Sequence, residues 1–141
     1  VVVLAQRCAQ LLVRIPSSEP HVGRMLWFTS GLHIGPMDGE IAYAVSKGAL
    51  HQMTLSIDHA LSASRIVANC IKPGPGDTGY ADRETHDTVA AMFPDHRWGT
   101  PDDVANLAAF LVSDEGRWIR GQVIDSEGGF DRVAWHNVHE Q

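Results

Sequence analysis

A tyrosine and a lysine stand four residues apart in Tyr43-Ala44-Val45-Ser46-Lys47, and Ser30 precedes the tyrosine by 13 residues. On a helix that spacing places both side chains on one face, one turn apart. A free phenol gives up its proton only at about pH 10, and a neighbouring ammonium favours the phenolate. Such a phenol can donate or accept a proton at working pH. A serine hydroxyl brought in from a preceding loop would hold a substrate oxygen beside it. These are the parts needed to reduce a carbonyl or oxidise an alcohol, short of a hydride carrier. Taken alone, Tyr-x-x-x-Lys also arises as an aromatic ring packed under a lysine stem.

Positioning such a site falls to the elements around it. Val1 to Arg14 reads as a helix with Leu4, Cys8, Leu11 and Leu12 on one stripe. A loop follows at Pro16–Pro20, then a short buried-type strand from Met25 to Thr29. Gly31 to Gly39, with three glycines and Pro36, is a loop. Ile41 to Leu61 is the longest helix. One stripe runs Tyr43, Lys47, Leu50, Thr54, Ile57, Leu61 and a second runs Val45, Ala49, Met53, Ala60. Two apolar stripes exceed what one sheet contact needs, so the second predicts packing against another subunit. Arg65 to Ile71 reads as a strand, Tyr80 to Met92 as a charged helix, and Gln122 to Ser126 as a last strand. Asp102 to Ser113 is a helix, with Thr100 as N-cap and Pro101 in the first turn. Strand–helix alternation with short connections predicts a parallel α/β sheet. The chain reads as a single domain over residues 1–141, with 131–141 a tail that matches no element.

The composition excludes several classes. With 141 residues, 44% hydrophobic and 20% charged, this is at most one soluble globular domain. A net charge of -6 without a Lys/Arg cluster argues against nucleic acid. No apolar run approaches the roughly 18 residues a membrane span needs. Val1 to Val13 is interrupted by Gln6, Arg7 and Gln10 and has no basic region before it, so a signal peptide is not expected. Cys8 and Cys70 lack metal-type spacing and read as small buried hydrophobes, pointing to a reducing cytoplasm.

Two further patterns are set aside. Gly74-x-Gly76-x-x-Gly79 has the literal spacing of a dinucleotide fingerprint, but Pro73 and Pro75 remove amide donors and the turn comes late in the strand order. Among the eight histidines, His51 and His59 are too far apart on one helix to share an ion. His33, His86 and His96 form no tight motif, so no metal site is expected. Asp102-Asp103 and Asp114-Glu115 read as helix-end charges.

Six ordered blocks then carry a resemblance. They are Arg24-Met25-Leu26-Trp27-Phe28-Thr29-Ser30, Tyr43 to Leu50, Asn69 to Thr78, Arg97 to Ala105, Phe110 to Glu115, and Gly121 to Gly129. With the gaps between them, they resemble the short-chain dehydrogenase/reductase family, most closely members similar to 3-oxoacyl-[acyl-carrier-protein] reductase. The resemblance implies the C-terminal part of a doubly wound Rossmann-type parallel sheet, with the family's N-terminal dinucleotide-binding unit absent from these 141 residues. It implies an NAD(P)-dependent oxidoreductase interconverting a ketone and a secondary alcohol. Ser30 would orient the carbonyl, Tyr43 would exchange the proton, and Lys47 would favour the phenolate and bind the nicotinamide ribose. The loop Pro73, Gly74, Gly76, Thr78 would close over the nicotinamide. Gly79 to Pro94 would form a lid, with Tyr80, Met92 and Phe93 touching substrate. The choice between NADP and NAD is not written in these residues. Helices 1–14 and 41–61 would pair with their two-fold mates in a homodimer or homotetramer. The rival expectation is a non-enzymatic remnant that keeps the oligomer surface and binds no cofactor.

Overall fold

The computed structural model describes residues 2–12, 14, 23–31, 38–79 and 81–131. The loop Pro16–Pro20, most of Gly31–Gly39 with His33, Tyr80, and the tail beyond Asp131 lie outside the described residues. Helix α1 (Val2–Leu12) leads to strand β1 (Gly23–Phe28), helix α2 (Ile41–Leu61), strand β2 (Ile66–Pro73), helices α3 (Arg83–Ala90) and α4 (Pro101–Val112), and strand β3 (Val123–Ser126). The strands form a parallel sheet in the order β1-β2-β3. Parallel neighbours require a crossover; α2 supplies it between β1 and β2, and α3 with α4 between β2 and β3. This is a partial Rossmann-type α/β fold.

Strand β2 is central and almost wholly buried because both of its faces are covered, and most of its residues are apolar. Its alternate residues Ile66, Ala68 and Cys70 pack with Ala9 and Leu12 of α1 and with Leu50, Met53, Ile57 and Leu61 of α2. The intervening Val67 and Ile71 are equally buried, and α4 lies against β1 and β2. Burial pushes the Cys70 thiol up from its ordinary pKa, which keeps it protonated and inert.

Several boundaries depart from expectation. In α1, Ala5 and Ala9 face the core while Leu4 and Leu11 are exposed. Small side chains let the helix approach β1 closely, and the larger leucines are turned outward. Strand β1 begins two residues before Met25, where Gly23 admits Leu12: a Cβ on Gly23 would lie 2.5 Å from the Leu12 side chain. Arg65 lies outside β2, in a left-handed conformation (φ 56°) that ends the turn after α2. At its other end β2 runs on to Pro73, because β3 pairs with it there. Helix α3 is shorter than Tyr80–Met92. Asp82 caps it by accepting from the Thr85 amide, which holds the Asp82 carboxyl below its usual range. In α2, Met53 belongs to the core rather than to the outer stripe.

Thr100 caps α4 as its sequence position predicts, in a reciprocal box with Asp103. The Arg97 guanidinium grips Asp103 at 2.7 and 3.1 Å. That pair, with the Thr100 amide and hydroxyl, holds the Asp103 carboxyl well below the ordinary carboxylate range. Its folded pKa is depressed, so this contribution is full above the unfolded value of about 3.9 and is lost only as pH falls through the lower folded one. Thr100→Ala should cost about 1 kcal/mol and lower Tm by a few degrees at neutral pH, with Thr100→Ser largely restoring it. An unchanged Tm would show that the box contributes nothing.

Candidate active site

The predicted residues fall into two groups at the C-terminal edge of the sheet: Ser30, Tyr43 and Lys47 near the end of β1, and the Pro73–Thr78 loop at the end of β2. Phe28, the last residue of β1, pairs with Ile71 of β2, and the Thr29 amide donates to the Ile71 carbonyl at 2.9 Å. Thr29 is buried, and its hydroxyl donates to the Lys47 carbonyl at 2.7 Å. Lys47 in turn donates from Nζ to the Phe28 carbonyl at 3.1 Å. These two bonds lock the end of β1 to the first turns of α2. Ser30, half-buried, follows Thr29 directly. The Lys47 ammonium lies 5.7 Å from the Tyr43 ring centroid, on the same helix face. Tyr43 is 41% exposed, and among the described residues no hydrogen bond joins its hydroxyl to Ser30. Thr29 was not singled out in the sequence. Its burial and its bond across to α2 fix the backbone immediately before Ser30.

The second half of the site leaves the end of β2. Gly74 is pressed against β3, where a Cβ would lie 2.6 Å from Glu127 Cβ and 2.8 Å from Glu127 Cα. Its amide donates to the Ser126 carbonyl at 3.2 Å. Gly76 bridges to Gly99, with Gly99 N donating to Pro75 O and Asp77 N to Gly99 O. The Gly79 amide is taken by Asp77 Oδ1. The amides of Gly74, Asp77 and Gly79 are thus spent inside the chain and Pro75 has none. The loop is therefore no phosphate cradle despite its Gly-x-Gly-x-x-Gly spacing.

Pro73, Gly74, Gly76 and Thr78 line a cavity of about 600 Å³ whose far wall includes Phe93, Gly99 and Thr100. Ser30, Tyr43 and Lys47 do not line it; they stand on the β1 side of β2, and the cavity opens on the β3 side. Phe93 packs with Val89 and Trp98 and tilts against Phe130, ring centroids 5.0 Å apart. Met92 is buried and is not among the lining residues. Tyr80 lies outside the described residues. His86 of α3 stacks on Trp98 at 5.4 Å and approaches Asp77 at 3.6 Å, so the helix after the loop leans back on it. Among the described residues no three metal-ligating side chains come together.

The parallel sheet with helices between its strands is an α/β architecture of the Rossmann type. Residues 2–131 match the family described as Enoyl-(Acyl carrier protein) reductase. The uncharacterized oxidoreductase YjdA of Bacillus subtilis is 43% identical over 125 residues, 89% of this chain and 50% of that protein. The 3-hydroxyacyl-CoA dehydrogenase type-2 of Mycobacterium avium superposes with a TM-score of 0.79 at 29% identity, covering 90% of this chain and 50% of its own. The angucycline C-6 ketoreductase LanV, solved with bound NADP, superposes with a TM-score of 0.68 at 32% identity, covering 78% and 44%. The chain belongs to the short-chain dehydrogenase/reductase family. It spans about half the length of the curated relatives it matches.

Proposed function

We propose that the protein carrying this chain interconverts a ketone and a secondary alcohol with NADPH or NADH. The observation that carries this reading is the Lys47 ammonium. It is held on the Phe28 carbonyl at 3.1 Å and beside the Tyr43 ring, one strand away from the Gly74–Gly76 loop. The glycines fit a flat cofactor group. Gly74 cannot carry a side chain, and a Cβ on Gly76 would meet only the Gly99 carbonyl, at 3.8 Å, so the loop presents bare backbone. When bound, the nicotinamide supplies the hydride. Tyr43 gives its phenolic proton to the carbonyl oxygen, and the Ser30 hydroxyl donates a hydrogen bond to the same oxygen. Lys47 favours the phenolate that Tyr43 leaves behind and binds the ribose hydroxyls. The backbone of Pro73, Gly74 and Gly76, with Thr78, would hold the carboxamide. Phe93 offers an apolar wall to the substrate and Tyr80 is a further candidate for that contact, whereas Met92 is buried outside the cavity lining. The unpaired cysteines Cys8 and Cys70 suit a reducing cytoplasm. No described helix is long and apolar enough to cross a membrane.

Titration with NADPH and with NADH tests the reading. Saturable micromolar binding of one of them, followed by its oxidation when a ketone is added, supports it. A folded protein that binds neither is the non-enzymatic remnant.

Assembly is part of the same proposal. Ile41, Val45 and Leu55 are exposed on the face of α2 turned away from the sheet, as are Val3, Leu4 and Leu11 on α1. Gly48 has nothing within 4 Å of the place a Cβ would take. An exposed apolar face of this kind, with small residues at Gly48 and Ala49, suits an isologous helix contact in a dimer or tetramer. Ala49→Arg should convert that oligomer to monomer in sedimentation. A parent protein that sediments as a monomer at micromolar concentration overturns the assembly.

A further inference from the structure

Lys72 is the most deeply buried charged side chain among the described residues, with none of its surface exposed. It stands next to last in β2, after Ile66-Val67-Ala68-Asn69-Cys70-Ile71, where an aliphatic residue would fill the space without the cost of desolvating an ammonium. Its partners explain its presence. Asp125 stands directly opposite it in the β2–β3 register, with Nζ 2.6 Å from Oδ2. Glu127, one residue past the end of β3, lies 3.6 Å away. Glu127 is also the residue against which Gly74 is pressed, and Gly74 bonds the carbonyl of Ser126 between the two acids. The ion cluster therefore sits at the root of the Pro73–Thr78 loop, and both carboxylate residues line the cavity that the loop borders.

We infer that Lys72 is a positioning residue: by clamping Asp125 and Glu127 it fixes where the Pro73–Thr78 loop leaves the sheet, and through that the affinity for the nicotinamide cofactor. The cofactor half of this inference rests on the proposed function; the loop half does not. Without the ammonium, two carboxylates face each other beside Gly74. Their repulsion would part the end of β3 from the loop and open the Gly74–Ser126 bond.

The test uses the full-length protein that carries this chain. Lys72→Met should raise KM for the nicotinamide cofactor by at least about tenfold while changing kcat at saturating cofactor by less than about threefold. It should also speed amide exchange at Gly74 and Gly99, which report the loop without any cofactor. Adding Asp125→Asn and Glu127→Gln to that variant removes the repulsion and should return both readouts toward the parent. A side chain that only filled space would not be rescued in this way. Should Lys72→Met fail to fold, Asp125→Asn alone, at a half-exposed position, should still give faster Gly74 exchange. Parent-like exchange at Gly74 in either single variant, or a triple variant no better than Lys72→Met, overturns the inference. A parent protein that consumes no cofactor defeats the proposed function, while amide exchange still decides the role of Lys72.

Discussion

Tyr43→Phe should abolish ketone turnover in the full-length protein and leave cofactor binding intact. The change removes one oxygen from a ring that is 41% exposed, so neither packing nor folding is disturbed. What disappears is the only acidic proton on the helix face beside Lys47. Without it the developing alkoxide has Ser30 as its sole protein donor. Loss of a placed general acid is worth on the order of 10³-fold in rate, about 4 kcal/mol of barrier. The cofactor dissociation constant should stay within about threefold, because Lys47 and the loop are untouched. Turnover within about tenfold of the parent would remove Tyr43 from the mechanism.

Lys47→Ala should damage both binding and rate, by on the order of 10² in kcat/KM. On the proposed mechanism the ammonium would serve two tasks from one position. Its bond to the Phe28 carbonyl holds it at the sheet edge, and from there it faces the Tyr43 ring. Removing it leaves the phenolate unsupported and the ribose hydroxyls without a cation. Lys47→Arg should not restore activity, since a planar fork cannot take the place of a point charge held on one carbonyl. Thr29, which bonds the Lys47 backbone rather than its side chain, should still hold the helix in place, so Tm should fall little. Unchanged cofactor affinity in Lys47→Ala would separate the lysine from the ribose.

The elements that carry this site were largely legible in the chain. Helix α2 has the predicted bounds Ile41–Leu61, because a long core-facing stripe from Leu50 to Leu61 follows a loop rich in glycine. Thr54 belongs to that stripe although polar, since its hydroxyl accepts from Trp27 Nε1 and donates to the Leu50 carbonyl. The Thr100 cap and the parallel sense of the sheet follow from local pattern in the same way. What local pattern cannot supply is a contact between distant segments. Lys72 and Asp125 are 53 residues apart, and only the strand register brings them opposite each other. Asp58, late in α2, is picked out by no local pattern, yet it is buried. It accepts from the Ala68 amide and from Arg120 Nε, and so ties α2 to the start of β2 and to the turn before β3. On α1 the leucines mislead, because burial there follows closeness of approach, which alanine permits, rather than side-chain size. Trp118, 90% exposed, shows the same limit from the other side: nothing in the described chain covers it.

The central claim is that Ser30, Tyr43 and the Pro73–Thr78 loop fix a ketone and a nicotinamide against one another. Stereochemical analysis of the alcohol formed from a prochiral ketone tests it most directly. On the proposed mechanism, the Ser30 and Tyr43 hydroxyls near the end of β1 and the loop at the end of β2 would leave the carbonyl one face to present. The account predicts a single enantiomer in large excess from the full-length protein with NADPH or NADH, and none from Tyr43→Phe. A racemic alcohol, or the same product from Tyr43→Phe as from the parent, would contradict it.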